Sequence, residues 1–442
     1  MYDFNKAQIN SLNKLFEDFN SNNINYCILR NFENIPENIG NDIDFLVDEK
    51  QFKRIDLILD TVMNQFDFTL LITKNRFGYV GKYYIHTKTN NILLLDFFTK
   101  SSKKWLEYAD VAYILKHKVQ FKNFYVPRQG SILYTVLLKD LLTYSQLRNK
   151  NNDLLTHMGD EVKKEFIETG SKYFDKKILL NLFDSLKNDK VLYSKQYLFN
   201  NLKTYNNITN TIKYTYYRTK EVIQNLLFNK MYFISIIGPD GVGKSTVTSN
   251  LKNGLRDKGL FKDTLDIHHR FEFIPNISAI FTKKPKEDDI HSNSEIESSV
   301  VTNPTKKHSW FRTLIYVIYY SIDFILGYIY ILKYKATGGI IIADRYYYDF
   351  YIQKHYDNLP DFIKRFFYAL IPQPNIIFFL SADANTIYKR KYELTLEETI
   401  DQNERCKNII QYHNGILIDA NNDAQTVNNH IKDAIYKRML HE

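Results

Sequence analysis

One octapeptide constrains this chain more than any other feature. Gly238-Pro-Asp-Gly-Val-Gly-Lys244-Ser245 matches G-x-x-x-x-G-K-[ST] in full. The apolar run Tyr232–Ile237 precedes it and reads as a buried strand. Val247, Leu251 and Leu255 follow on one face of a helix that stops near Gly259. Strand, glycine loop and helix together make a phosphate-binding site. Gly238, Gly241 and Gly243 let backbone N–H groups turn inward around phosphate oxygens. The helix adds the positive end of its dipole. Lys244 is placed for the β- and γ-phosphates and Ser245 for Mg2+, with Thr246 beside it. The chain has only 15 glycines in 442 residues, so three in register make a chance match a poor explanation.

The rest of the C-terminal half alternates strands and helices. Thr264–His268, Ile340–Ala343, Ile376–Leu380 and Ile416–Asp419 read as strands of a parallel sheet with crossover helices. The polar stretch Thr282–Ser309 is too long for an ordinary loop and is expected to be a disordered or mobile flap. Leu314–Leu332 is almost wholly apolar or Tyr and about long enough to span a bilayer. Ser321, Asp323, Gly327 and the strand that follows point instead to a buried or half-buried helix, with no stable membrane insertion.

The N-terminal part reads as α+β. Tyr26–Arg30, Ile43–Val47, Phe68–Ile72, Tyr79–His86 and Ile92–Phe98 are strand-like, and Ile9–Phe19 and Phe52–Leu59 carry helical spacing. Asp42 and Asp44 lie at i and i+2 on a strand and so share one face. Asp96 sits in a nearby strand. Such carboxylates can hold Mg2+ for nucleotidyl transfer. From about Ser131 to Lys230 strand signals fade and helical ones dominate. The expected domains are therefore 1–128, a helical subdomain with a connecting helix over 129–230, and 231–442.

Composition narrows the partners. The net charge of +9 is mild for this length and suits anionic small molecules or an acidic surface. No basic tract of five or more occurs, so nucleic acid is not expected. Cys27 and Cys406 lack metal spacing and fit a reducing compartment. No signal-peptide pattern opens the chain. A cytoplasmic location is the expectation, and a homodimer is left open.

Two resemblances sharpen this. With Asp240 inside it, the loop Gly-Pro-Asp-Gly-Val-Gly-Lys-Ser-Thr246 resembles that of the thymidylate kinase family, G-x-D-G-x-G-K-[ST]-T. Ile340-Ile-Ile-Ala-Asp344-Arg345-Tyr346 resembles the family's strand ending in D-R-[YFH]. Pro374–Leu380 with Asp383 and Lys389-Arg390-Lys391 is similar to its strand, turn and lid entry. Ile418-Asp419-Ala420 is similar to the strand and loop beside the adenine. The resemblance runs from Tyr232 to the C-terminus. It implies a P-loop kinase using ATP and Mg2+ on a small-molecule phosphoryl acceptor. Lys244, Asp344, Arg345 and Arg390 are then its catalytic set, with Arg405 a further lid candidate. Asp240, Arg270 and Arg345 are its acceptor side.

The chain departs from the family where the acceptor is recognised. His268-His269-Arg270-Phe-Glu-Phe-Ile-Pro275 stands in place of R-E-P-G. In this it looks more like thymidylate-kinase-like proteins of bacterial surface-polysaccharide gene sets. Adjacent strand residues face opposite ways, so His268 and His269 are read as local polar groups rather than ligands of one ion. Two alternatives stay open: a true dTMP or nucleoside monophosphate kinase, and a non-catalytic ATP-binding switch. In the N-terminal part, Asp42-Ile-Asp44 with Asp96 resembles the polymerase-β-type nucleotidyltransferase superfamily. Leu29-Arg30-Asn31-Phe32 replaces that superfamily's Gly-Ser pair.

Overall fold

The computed structural model describes residues 4–156, 158–187, 194–202, 208–229, 231–257, 259–277, 309–390, 395–413 and 415–441. The chain divides into two compact units, Met1–Glu221 and Val222–Glu442. Both are mixed α/β.

The first unit carries a five-stranded sheet built from β1 (Tyr26–Ile28), β2 (Ile43–Val47), β3 (Phe68–Arg76), β4 (Tyr79–His86) and β5 (Ile92–Phe98), in the order β1-β2-β5-β4-β3. Only β2 and β5 pair in parallel, and their register sets Asp44 directly opposite Asp96. Helices α1 (Phe4–Ser21) and α2 (Phe52–Gln65) bury Leu12, Leu15, Phe16, Ile55 and Leu59 in one core with Phe45 and Phe97. Phe45 stacks on Phe97 at 5.0 Å, one strand over. Helix α3 (Gln129–Tyr144) belongs to a second core with Leu133, Leu137 and Leu141, beside Phe166 and Phe183. Glycine-poor, Leu-rich sequence at helical spacing explains why strands stop there.

The second unit is a five-stranded, wholly parallel sheet. Its strands are β6 (Phe233–Ile237), β7 (Thr264–His268), β8 (Ile340–Asp344), β9 (Ile376–Ser381) and β10 (Ile416–Asp419), in the order β7-β8-β6-β9-β10. The central three strands are buried along nearly their whole length, which their unbroken Ile and Phe runs require. The chain order reverses at β6, so the carboxyl ends of β6, β8 and β7 form the crevice where such sheets bind ligands. The phosphate loop, Asp344-Arg345 and His268-His269 all lie on that edge.

Helix α4 (Trp310–Leu326) and helix α5 (Tyr328–Thr337) cover the segment read as a half-buried helix. By length and composition, 310–337 is long and apolar enough to cross a membrane, and a third of its most apolar window is buried. Thr313, Val317, Ser321, Asp323 and Phe324 face inward, while Phe311, Ile315, Ile318, Ile322, Ile325, Ile329 and Leu332 are exposed. The polar residues that argued against a span are thus the ones that are buried. Most of the flap expected over Thr282–Ser309 lies outside the described residues.

Candidate active site

The glycine loop joins β6 to α6 (Lys244–Asp257). Gly241 and Gly243 have φ of 83° and 103°, which L side chains rarely adopt. A Cβ on Gly238 would sit 2.7 Å from the Leu380 carbonyl oxygen. The loop therefore needs these glycines for its shape and for its close approach to β9. Lys244 donates from Nζ to the carbonyl oxygens of Gly238 and Pro239, both at 2.9 Å, and lies 3.4 Å from Asp240 Oδ1. Ser245 and Thr246 are exposed in the first turn of α6. The Asp240 backbone N–H donates to Gln402 Oε1 at 3.3 Å.

Arg345 leaves β8 with φ 74°, and Tyr346 follows with φ 54°. Two consecutive non-glycine residues in this region are strained, each by about 1–3 kcal/mol. The turn brings Arg345 back over the loop: its backbone N–H donates to Ile236 O at 2.9 Å and its Nη2 ion-pairs with Asp240 Oδ1. Tyr346, Tyr347 and Tyr348 are fully buried behind it. Their hydroxyls donate to Pro372 O and Lys364 O and bond Tyr368, which anchors the strained turn. Asp344 Oδ1 and Arg345 Nε are buried with no hydrogen-bond partner among the described residues. A buried acceptor and a buried donor on consecutive residues at the strand end offer polar capacity that the described side chains do not use.

The two histidines depart from the sequence reading. Their rings lie 4.2 Å apart rather than on opposite faces. The reason is local: β7 ends at His268, and His269 takes φ 65°. His268 Nδ1 is 3.3 Å from Asp344, and His269 Nδ1 is 2.8 Å from Asp349 Oδ2. Asp349 also lies 4.0 Å from Arg345 Nη1. Burial alone would raise the Asp349 carboxyl, but Arg345 and His269 outweigh it and hold it below the usual carboxylate range. Sequence reasoning missed Asp349. Its signal was its place four residues after Arg345, one helical turn on.

Arg270 faces its own loop. It donates to Ile274 O at 2.6 Å and to Asn276 Oδ1, ion-pairs with Asp323 at 3.7 Å, and stacks over Tyr320. Asp323 is fully buried and also accepts from the backbone N–H groups of Glu272 and Ile274, both at 3.0 Å. Arg390 donates to Ala420 O at 3.1 Å, beside Asp419. Arg405 is tied to Asp357 and Asp401, and those partners raise its pKa further. Lys391 lies outside the described residues.

In the first unit, Asp42, Asp44 and Asp96 each offer an oxygen within 4.8 Å of the others. Asp44 and Asp96 are buried, and Arg30 Nε ion-pairs with Asp44. Tyr79 donates its hydroxyl to Asp96 at 2.8 Å. Gly81 of β4 pairs with Asp96 of β5, and a Cβ there would meet the Tyr79 hydroxyl at 2.3 Å. Burial, with Asp44 and Asp42 close by, pushes the Asp96 carboxyl up to about 7 despite the Tyr79 hydrogen bond. Burial likewise pulls the neighbouring Lys74 ammonium down to about 8. Three close carboxylates, one of them this reluctant to ionise, fit a divalent cation.

No family model matches the chain. No curated protein matches it. Among solved structures, a thymidylate kinase from Ehrlichia chaffeensis is similar over 46% of this chain and 98% of its own length, at 14% identity and a TM-score of 0.30.

Proposed function

We propose that the second unit is an ATP-dependent phosphotransferase that moves the γ-phosphoryl group of ATP to a nucleotide or a sugar- or polyol-type acceptor. One observation carries this reading: Lys244 and Arg345 converge on Asp240 in the mouth of a glycine loop. Two cations held on one carboxylate are ready to pass to phosphate oxygens. Phosphoryl transfer needs positioning and charge neutralisation more than covalent chemistry. Lys244 and the loop N–H groups hold the β- and γ-phosphates, and Arg345 reaches the transferred group. Arg390 stands at the adenine-side edge. Ser245 would hold Mg2+, which would supply further charge neutralisation, and Asp344 Oδ1 would be a further acceptor at the strand end. The test is ADP release from Mg-ATP across nucleoside monophosphates, sugars and polyols, beside Lys244→Ala. Loss of turnover in the variant supports the reading.

A second activity is favoured by the carboxylate cluster of the first unit. Asp42, Asp44 and Asp96 would hold Mg2+ for nucleotidyl transfer, with Arg30 near the triphosphate. One unit would then phosphorylate a sugar or polyol and the other attach a nucleotide, as in surface-glycan synthesis in the cytoplasm. Intact nucleotide transfer in Asp42→Ala with Asp44→Ala would remove this second activity.

A further inference from the structure

We propose that the acceptor of the second unit is a neutral hydroxyl compound, and that His269, held by Asp349, takes the hydroxyl proton. This rests on the phosphotransferase reading above. The two acceptor classes make opposite demands. A phosphate ester has no proton to lose near pH 7 and brings about two negative charges, so its site needs unshared cations. An alcohol brings no charge but must lose a proton as its oxygen attacks, so its site needs a base.

The acceptor edge answers the second demand. It is reached from the phosphate loop through β8: Arg345 N–H bonds Ile236 O at 2.9 Å, and His269 N–H bonds Asp344 O at 3.0 Å. The side chains there are two imidazole–carboxylate pairs, His268 with Asp344 and His269 with Asp349. The nearby guanidinium groups are shared with carboxylates: Arg345 with Asp240 and Asp349, Arg270 with Asp323. Among the described guanidinium groups, a second phosphate would meet a field already balanced by aspartates.

His269 has the geometry of an oriented base. Its Nδ1 lies 2.8 Å from Asp349 Oδ2, which favours the tautomer carrying its proton on Nδ1. Nε2 then carries the lone pair. Asp349 is a positioning residue that also stabilises the imidazolium once it forms. The positive φ of His269 turns its ring out of the strand alternation toward this pair, strain of the kind that collects at functional sites. In the step, the acceptor oxygen forms a bond to Pγ and the bond from Pγ to the β–γ bridging oxygen breaks. ADP leaves with that electron pair, and the acceptor proton passes to His269 Nε2.

The test uses the full chain with Mg-ATP and three acceptors: water, glycerol as a minimal polyol, and dTMP. ADP release and binding of a fluorescent ATP analogue are read in wild type, His269→Ala, His269→Gln, Asp349→Asn and Lys244→Ala. The expected result is turnover with water or glycerol that falls about 100-fold or more in both His269 variants. Nucleotide binding should stay within about threefold, and added imidazole should restore part of the rate in His269→Ala. Asp349→Asn should lower kcat, and His269→Ala with Asp349→Asn should be no slower than His269→Ala alone, because the pair acts as a unit. Turnover stimulated by dTMP and unchanged in His269→Ala would overturn this inference and leave the phosphotransferase reading standing. Independent, multiplying losses would overturn the role of Asp349. Equal ADP release by wild type and Lys244→Ala under every condition would overturn the phosphotransferase reading itself.

Discussion

Arg345 and Asp240, 105 residues apart in sequence, form an ion pair across the mouth of the glycine loop. Lys244 lies on the same carboxylate at 3.4 Å. Under the proposed function, Asp240 would therefore compete with an incoming phosphate for both cations. Asp240→Asn is expected to tighten Mg2+-free ADP by roughly threefold to tenfold, since one lost charge interaction of about 1 kcal/mol is worth that much. Titration calorimetry checks it. Weaker binding in the variant would mean that Asp240 builds the loop rather than guards it.

Gly238 approaches the neighbouring strand too closely for any side chain. Gly238→Ala places a methyl group 2.7 Å from Leu380 O, a backbone atom that cannot swing away. The expected loss is about 2 kcal/mol of stability in the second unit, together with weaker nucleotide binding. Thermal unfolding with and without ADP reads both effects. An unchanged midpoint would contradict the close approach.

Asp323 shows what the sequence made legible and what it did not. The glycine loop and the strands were readable, because each is set by local residue type and period, whereas Asp344-Arg345 at a strand end was implied by the family resemblance. The segment around Asp323 was read only as a half-buried helix. That its carboxylate caps the loop 272–274 and holds Arg270 depends on a contact 49 to 51 residues away, which no periodicity announces. The His268–His269 alternation failed for a similar reason: one backbone angle past the strand end redirects a side chain. Asp323→Ala leaves two N–H groups without their acceptor and takes away the carboxylate partner of Arg270. It is expected to cost about 3–5 kcal/mol. Asp323→Asn, which keeps an acceptor oxygen, should lose less. Equal losses in urea denaturation would contradict this account.

The carboxylates of the first unit predict a linked effect of pH and cations. The Asp96 carboxyl rises from 3.8 to about 7 in the folded chain. Between those values the folded form holds a proton that the unfolded form has released. Its stabilising contribution is thus fully present below about 4 and is lost as pH rises through about 7. A divalent cation must displace that proton, so cation stabilisation should grow over the same range. At pH 8, Mn2+ at 100 times its Kd should add about 2.7 kcal/mol. Asp96→Asn should be less sensitive to pH without the cation and gain little from it. Equal Mn2+ responses in unfolding curves of the two proteins would exclude Asp96 from the site.

ADP release from Mg-ATP by the purified full chain, compared with Lys244→Ala over water, polyol, sugar and nucleoside monophosphate acceptors, decides whether the second unit transfers phosphoryl groups. The expected result is turnover that one acceptor class raises and that Lys244→Ala lowers about 100-fold or more. ATP that binds to wild type and is never turned over, with every acceptor, would contradict it and make the second unit a nucleotide-binding switch.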